Sequence, residues 1–151
     1  MIMPTHYKGA AQQVRALNAY IPLMRASNTL SARSAAQLEP FGLTLGQFGA
    51  LEALLHLGPM CQRELGRKLL CSPGNLTLVV DNLEKRGCVR RERQTDDRRM
   101  IRLYLTPRGR HLISKVFGEH LAFLVSEMSR LKASEQEELR CLCRKLGKSG
   151  Q

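Results

Sequence analysis

Arginine side chains are concentrated in one part of this sequence, between Glu84 and Arg110. The segment holds ten basic and four acidic residues, and nine of the ten basic residues are arginine. A guanidinium group forms planar, forked hydrogen bonds with phosphate oxygens and with guanine, which the ammonium group of lysine cannot do. The whole chain carries a net charge of +11. This distribution predicts a polyanionic partner.

The sharpest cluster is Asp96-Asp97-Arg98-Arg99, at the turn between two predicted strands. A charged turn is usually only a solvated turn. Here, however, it follows Arg90, Arg91 and Arg93, and an acid at a loop tip can hold a neighbouring guanidinium extended for insertion into a narrow minor groove. We therefore expect the tip to contact nucleic acid.

A helix predicted over residues 73–86 precedes this hairpin, with Ser72 as its N-cap and Pro73 in its first turn. One face carries the apolar side chains Leu76, Val79, Val80 and Leu83, and the opposite face carries Gly74, Thr77, Leu78, Asp81, Asn82 and Lys85. The second face would look into a major groove. Leu78 is either partly covered by a neighbour or a contact for a thymine methyl group. Gly74 is either merely tolerated or lets the backbone approach a phosphate.

The elements around this surface are mainly helical. We expect a first helix from about Gln12 to Leu38, kinked or divided at Pro22, and a second that is capped by Thr44 with Gln47 and stops at Gly58-Pro59. A short helix follows from about Gln62 to Leu69. About three residues separate it from the helix at Pro73, which is helix-turn-helix spacing.

Strand patterns and two more helices complete the chain. Ile101, Leu103 and Leu105 alternate with polar residues and predict a strand that pairs with Val89–Arg93. A long helix should run from Pro107 to about Leu131. Ser134 and Glu137 form a second capping box for a final helix to about Leu146. The fold class is therefore mainly α with a small β-hairpin wing: a winged helix-turn-helix flanked by long outer helices.

Composition limits the remaining possibilities. The sequence has no apolar run long enough to cross a membrane and no secretion signal near its start, so a cytoplasmic protein is expected. Five cysteines, an odd number, favour reduced thiols over a disulfide framework. Neither Cys141-x-Cys143 nor the four histidines have the spacing of a zinc site, so no metal or cofactor is expected.

The order of motifs resembles the MarR family of winged helix-turn-helix transcription regulators. The residues that carry the resemblance are LTLGQFGALEALLHLGP, QRELGRKL, VVDNLEKRGCVRR and above all DDRRMIRLYLTPRG. The last matches the D-x-R wing signature of the family at Asp97 and Arg99. The resemblance implies that Arg99 enters the minor groove, that Asp97 holds it by a salt bridge, and that residues 73–85 form the recognition helix.

The resulting DNA-contact prediction draws on the recognition helix and the hairpin. It comprises Ser72, Gly74, Asn75, Thr77, Leu78, Asp81, Lys85, Arg91, Arg93, Arg98 and Arg99. The resemblance also implies one domain over 1–151, with a DNA-binding lobe at 44–106 and a helical dimerisation region at 8–40 and 107–147. A homodimer would read a pseudo-palindromic operator in double-stranded DNA. Our interface candidates are Leu112, Val116, Phe117, Leu124, Met128, Leu131, Leu139, Leu142 and Leu146.

The resemblance further implies a repressor that is released by a small aromatic or phenolic ligand. Candidate contacts are Tyr20, Met24, Phe48, Leu55, His56 and Phe117, although apolar residues at helical spacing usually form core. Members that sense oxidation keep a cysteine near the start of the chain, and none precedes Cys61 here. Cys71, before the recognition helix and amid basic residues, is the thiol candidate, with a buried small hydrophobe as the alternative.

Two other classes of function were weighed. An enzyme is not expected, because the sequence has no nucleophile elbow, phosphate loop or zinc-hydrolase motif. A sequence-indifferent architectural protein would share the basic charge, and only a test of sequence preference separates it from a regulator.

Overall fold

The computed structural model describes residues 5–69 and 73–148. In chain order its elements are α1 (Ala11–Leu38), α2 (Leu45–Leu57), β1 (Met60–Cys61), α3 (Gln62–Leu69), α4 (Pro73–Lys85), β2 (Val89–Arg93), β3 (Ile101–Leu105), α5 (Pro107–Met128) and α6 (Ala133–Gly147). A single 3₁₀ turn, Glu39–Phe41, follows α1. The mainly helical fold with a small wing is therefore confirmed. Over the described ranges, none of the helices combines the length and the apolar character that a membrane span requires.

The predicted hairpin is part of a three-stranded antiparallel sheet in the order β1-β3-β2. Val89 is paired with Leu105, and Arg93 with Ile101. The sequence prediction missed β1, in which Met60 pairs with Leu103. A strand of two residues is too short to show the alternation by which strands are recognised.

The core lies where α2, α3, α4 and the sheet meet the first half of α5. Its completely buried members include Leu51, Leu65, Leu83, Leu103 and Ile113. The predicted inner face of α4 is confirmed, since each of its four apolar side chains is at most 7% exposed. The polar face of α4 is consequently turned outward.

Several helix boundaries depend on local hydrogen bonds. The Thr44 capping box is confirmed: the Thr44 hydroxyl accepts from the Gln47 amide at 3.2 Å, and the Gln47 side chain accepts from the Thr44 amide at 3.1 Å. Helix α1 continues through Pro22 and is not divided there. A proline inside a helix removes one backbone hydrogen bond, which the flanking turns tolerate here.

The predicted cap of the last helix was wrong. Helix α6 begins two residues earlier, with Lys132 as its N-cap, and the Lys132 amide donates to the Glu135 carboxylate at 2.7 Å. Glu137 binds Arg140 instead of capping the helix. Helix α5 ends at Met128, before the predicted Leu131, where the Ser129 hydroxyl donates to the Ser126 carbonyl at 2.7 Å.

Candidate nucleic-acid interface

The outward face of α4 presents a mixture of small, polar and apolar side chains. Gly74, Asn75, Thr77, Leu78 and Lys85 are exposed. The Gln62 side-chain amide of α3 donates to the Thr77 hydroxyl at 3.3 Å, which ties the two helices of the motif together. This is the surface expected of a recognition helix, with hydrogen-bonding groups early in the helix. Ser72, the predicted cap, lies outside the described residues.

The two open questions about α4 have different outcomes. Leu78 is 59% exposed, so no neighbour within this chain covers it as one of the two hypotheses required. An added Cβ at Gly74 would meet nothing within 4 Å, so protein packing does not require glycine there. The contacts of Leu78 with a thymine methyl group and of Gly74 with a phosphate stay predictions.

Arg91 binds the recognition helix. Its guanidinium lies 2.6 Å from the Asp81 carboxylate and 3.1 Å from the Glu84 carboxylate, and its backbone N–H donates to Glu84 at 3.3 Å. The side chain of Arg91 is only 21% exposed. Two residues that the sequence analysis assigned to DNA, Asp81 and Arg91, are thus joined to each other.

The tip of the wing is closed by backbone hydrogen bonds. The Met100 amide donates to the Asp97 carbonyl at 2.9 Å, and the Gln94 amide donates to the Met100 carbonyl at 3.0 Å. Arg98 and Arg99 are exposed beside this turn, as is Arg93 at the end of β2. The three guanidinium groups have no acidic partner among the residues the structure describes.

The expected salt bridge between Asp97 and the Arg99 guanidinium is replaced by another contact. The Asp97 carboxylate accepts the backbone N–H of Arg99 at 2.9 Å. An aspartate side chain is short and readily bonds the backbone two residues further on, which stabilises a turn. Asp97 therefore orders the loop that carries Arg99 and leaves its guanidinium extended into solvent.

A cleft of about 880 Å³ separates the recognition helix from the wing. Its lining combines Gln62, Arg63, Gly66 and Arg67 of α3 with Leu76, Thr77, Asp97 and Arg99, together with Cys61, Met100 and Ile101. The sequence analysis missed Arg63 and Arg67. Their spacing of four residues, on the side of α3 opposite the buried Leu65, could have indicated a basic face. Three arginines thus surround a groove between the two elements that a winged helix offers to DNA.

The candidate ligand contacts are divided between the core and the surface. Phe48 is buried and half-buried Leu55 packs on the core, while His56 stacks on Phe117 with ring centroids 4.7 Å apart. Tyr20 and Met24 are instead 59% and 40% exposed on the first half of α1. Within one chain, the six side chains do not form one group.

The sequence analysis missed His120, which lies at the junction of α1, α2 and α5. It is only 5% exposed, and its Nδ1 is 2.6 Å from the Gln37 side-chain oxygen. Its ring centroid is 4.4 Å from that of Phe48. Burial lowers the pKa of His120, and the negative charge of Glu52 opposes that shift. The spacing of His120 from buried Ile113 and Val116 places it on the inner face of α5.

Cysteine positions constrain redox chemistry. Cys71, the predicted redox candidate, lies outside the described residues. Cys61 is half-buried, Cys88 is buried, and Cys141 and Cys143 are exposed; all four are free thiols. In the described parts of the chain, no three His, Cys, Asp or Glu side chains come together as a metal site.

Comparison with known proteins determines the family. The model of the MarR family matches residues 43–101. The chain is 32% identical over 133 residues to the HTH-type transcriptional regulator YkoM of Bacillus subtilis, covering 88% of this chain and 86% of that protein. This chain belongs to the MarR family. It is similarly 31% identical over 125 residues to the transcriptional repressor Rv2887 of Mycobacterium tuberculosis, covering 83% of this chain and 90% of that one.

Solved structures agree with this assignment. The MarR family regulator AbsC from Streptomyces coelicolor has the same fold, with a TM-score of 0.82, 23% identity and coverage of 94% of this chain and 95% of AbsC. The Mycobacterium tuberculosis Rv2887 structure matches with a TM-score of 0.65 and 31% identity, over 85% of this chain and 97% of Rv2887. That protein was solved in complex with p-aminosalicylic acid. The chain is thus a MarR-family DNA-binding transcription regulator.

Proposed function

We propose that this chain is a homodimeric, cytoplasmic repressor that binds a pseudo-palindromic operator and is released by a small aromatic acid. The observation that carries DNA recognition is the arginine-lined cleft between α4 and the wing. It opens between an outward-facing helix and an ordered loop that holds Arg99 extended. A helix in the major groove and a loop in the adjacent minor groove fit this arrangement.

Exposed apolar side chains support the dimer. Leu121, Leu124 and Val125 of α5 are 39–62% exposed, and Leu139, Leu142 and Leu146 of α6 are 36–72% exposed. Val116 was wrongly included among the interface candidates, because the chain's own core buries it completely. A second copy that covers the outer faces of α5 and α6 would remove this apolar surface from water. A two-fold dimer would then place its recognition helices in half-sites about 34 Å apart.

Repression and the class of effector are proposed by analogy with Rv2887. That relative is named a repressor, and it was solved with an aromatic acid. In this chain the junction of α1, α2 and α5 offers aromatic rings at Phe48, Phe117 and His120. Tyr20 and Met24 would join that group only if the partner copy or a ligand covered them. The class of ligand is thus an aromatic ring with an acidic group.

The test begins with selection of binding sites from random-sequence duplexes. The selected duplex then serves as the probe for Arg99→Ala, with Arg130→Ala as a matched control that removes the same charge at an exposed residue beyond α5. We expect Arg99→Ala to lose most of the affinity and to reduce the slope of log K against log salt by about 0.9, as for one lost phosphate contact. The Arg130→Ala variant should bind as the wild type does. Both variants should sediment as dimers.

Two results would contradict the proposal. Recovery of no preferred sequence would favour an architectural protein that binds any duplex. Unchanged affinity in Arg99→Ala would remove Arg99 from the interface. Leu142→Glu should dissociate the dimer, whereas Leu57→Glu, at an equally exposed leucine outside α5 and α6, should not. Finally, p-aminosalicylic acid added at increasing concentration should weaken binding of the wild type to the selected duplex.

A further inference from the structure

One arginine of the wing differs from the others in its surroundings. Arg91 pairs with Leu103 across the sheet, and Leu103 is completely buried. Residues opposite each other in a sheet share a face, so Arg91 lies on the face that packs against the helices. Arg90, its neighbour, lies on the other face, over the ring of Tyr104. The position of the Arg91 guanidinium is therefore determined by packing of the hairpin on α4.

Arg91 is also the link between two negative charges and the wing. Its guanidinium contacts Asp81 at 2.6 Å and Glu84 at 3.1 Å, one turn apart on the recognition helix. A carboxylate on a helix that enters a groove repels the phosphates on either side. A planar guanidinium can hold two such carboxylates at once and offset most of their charge.

We propose that Arg91 is a positioning residue for DNA recognition, which holds the recognition helix and the wing in one orientation and neutralises Asp81 and Glu84, and that it is not a DNA contact. The proposal rests on the DNA-binding function proposed above. It divides the wing arginines into two kinds. Arg93 and Arg99, exposed and with no acidic partner in the described part of the chain, supply phosphate or groove contacts, whereas Arg91 acts through α4.

The experiment measures fluorescence anisotropy of labelled duplexes at several salt concentrations. The proteins are wild type, Arg91→Ala, the double variant Asp81→Asn/Glu84→Gln, and the triple variant that combines them. Arg90→Ala removes the same charge from the same strand on the opposite face and is the control. Arg93→Ala is the reference for loss of a contact. Each protein is measured on the selected duplex and on one mixed-sequence duplex.

The proposal predicts a specific pattern. Arg91→Ala should bind the selected duplex about tenfold more weakly, a size typical of coupling between contacting residues. Its slope of log K against log salt should equal that of the wild type, while Arg93→Ala should lose about 0.9 of slope. In the triple variant, removal of the two carboxylates should restore affinity to within about threefold of the double variant. Arg90→Ala should behave as the wild type.

A contact role for Arg91 would give the opposite pattern. Arg91→Ala would lose slope as Arg93→Ala does, and the carboxylate substitutions would not restore binding, which would overturn the proposal. Unchanged affinity in Arg91→Ala would also overturn it. If Arg91→Ala fails to fold, Arg91→Lys replaces it: a lysine retains a phosphate contact but cannot bridge two carboxylates, so the proposal requires weaker binding.

Failure of the proposed function is distinguishable from failure of this inference. If selection with the wild type yields no preferred sequence, the regulator function fails, yet the four proteins still bind the mixed-sequence duplex. Restoration of affinity by the carboxylate substitutions on that duplex would support the role of Arg91 by itself. Its absence on either duplex would refute that role.

Discussion

Gly109 gives the clearest quantitative prediction, because it lies where the long helix α5 begins against the base of the wing. Its backbone N–H donates to the Thr106 hydroxyl at 3.0 Å. A Cβ added at Gly109 would lie 2.0 Å from the carbonyl oxygen of Cys88 and 2.8 Å from its carbonyl carbon. Real Cβ atoms essentially never come closer than 3.0 Å to another heavy atom, so α5 or β2 must move by about 1 Å.

That movement would disturb two hydrogen bonds. The Cys88 carbonyl accepts the Thr106 amide at 3.1 Å, and the Thr106 hydroxyl donates to the Gly87 carbonyl at 2.5 Å. Loss of both would destabilise the fold by about 2 kcal/mol, and strain from the extra methyl group adds about 2 kcal/mol. The higher helix propensity of alanine offsets about 1 kcal/mol. We therefore expect Gly109→Ala to lower the free energy of unfolding by about 3 kcal/mol.

Urea unfolding followed by circular dichroism measures this change. Gly118→Ala is the matched control in the same helix, since an added Cβ there meets nothing within 4 Å. The control should be unchanged or gain up to about 1 kcal/mol from helix propensity. Displacement of the wing should also weaken DNA binding by Gly109→Ala. A Gly109→Ala protein as stable as the Gly118→Ala protein would refute the reasoning from close packing.

Three further predictions concern single side chains. Leu78→Ala should change the free energy of unfolding by less than about 0.5 kcal/mol, because Leu78 is exposed, but should weaken binding to the selected duplex; a large loss of stability would contradict its role in recognition. Thr44→Ala removes the cap of α2 and should lower the free energy of unfolding by about 1 kcal/mol in urea, and no change would argue against the cap. Burial lowers the pKa of His120 in the folded state below its ordinary value of 6.5, with Glu52 opposing the shift. The unfolded chain therefore binds the proton more readily, so the stability associated with neutral His120 is fully present above pH 6.5 and falls as the pH drops toward the folded-state pKa. His120→Gln should flatten that part of the curve, and an equal slope in both proteins would contradict the assignment.

The fold followed from the sequence where periodicity and capping were strong. The apolar spacing in α4 identified its buried face, and the Thr44 capping box identified the start of α2. Prediction failed where the deciding contact is short or shared by several residues. Strand β1 has two residues, and the N-cap of α6 is a lysine whose amide is bonded by Glu135 rather than a residue with a capping side chain.

The site was less predictable than the fold, because charge in a sequence does not show which charges neutralise each other. Arg91 looked equivalent to Arg93 and Arg99 until the turn after α4 placed it against Asp81 and Glu84. His120 was missed for a related reason. Its environment is formed by Gln37 and Phe48, which are distant in the sequence and belong to two other helices.

The most direct test of the central claim is a nuclease footprint of the protein on DNA upstream of its own gene, at near-physiological salt with competitor DNA. A dimeric, site-specific regulator should protect a short inverted repeat whose half-sites lie about one helical turn apart. Scrambling that repeat should abolish protection. Protection that spreads evenly along the fragment, whatever its sequence, would contradict the account, because the arginine-lined cleft would then bind phosphates without reading bases.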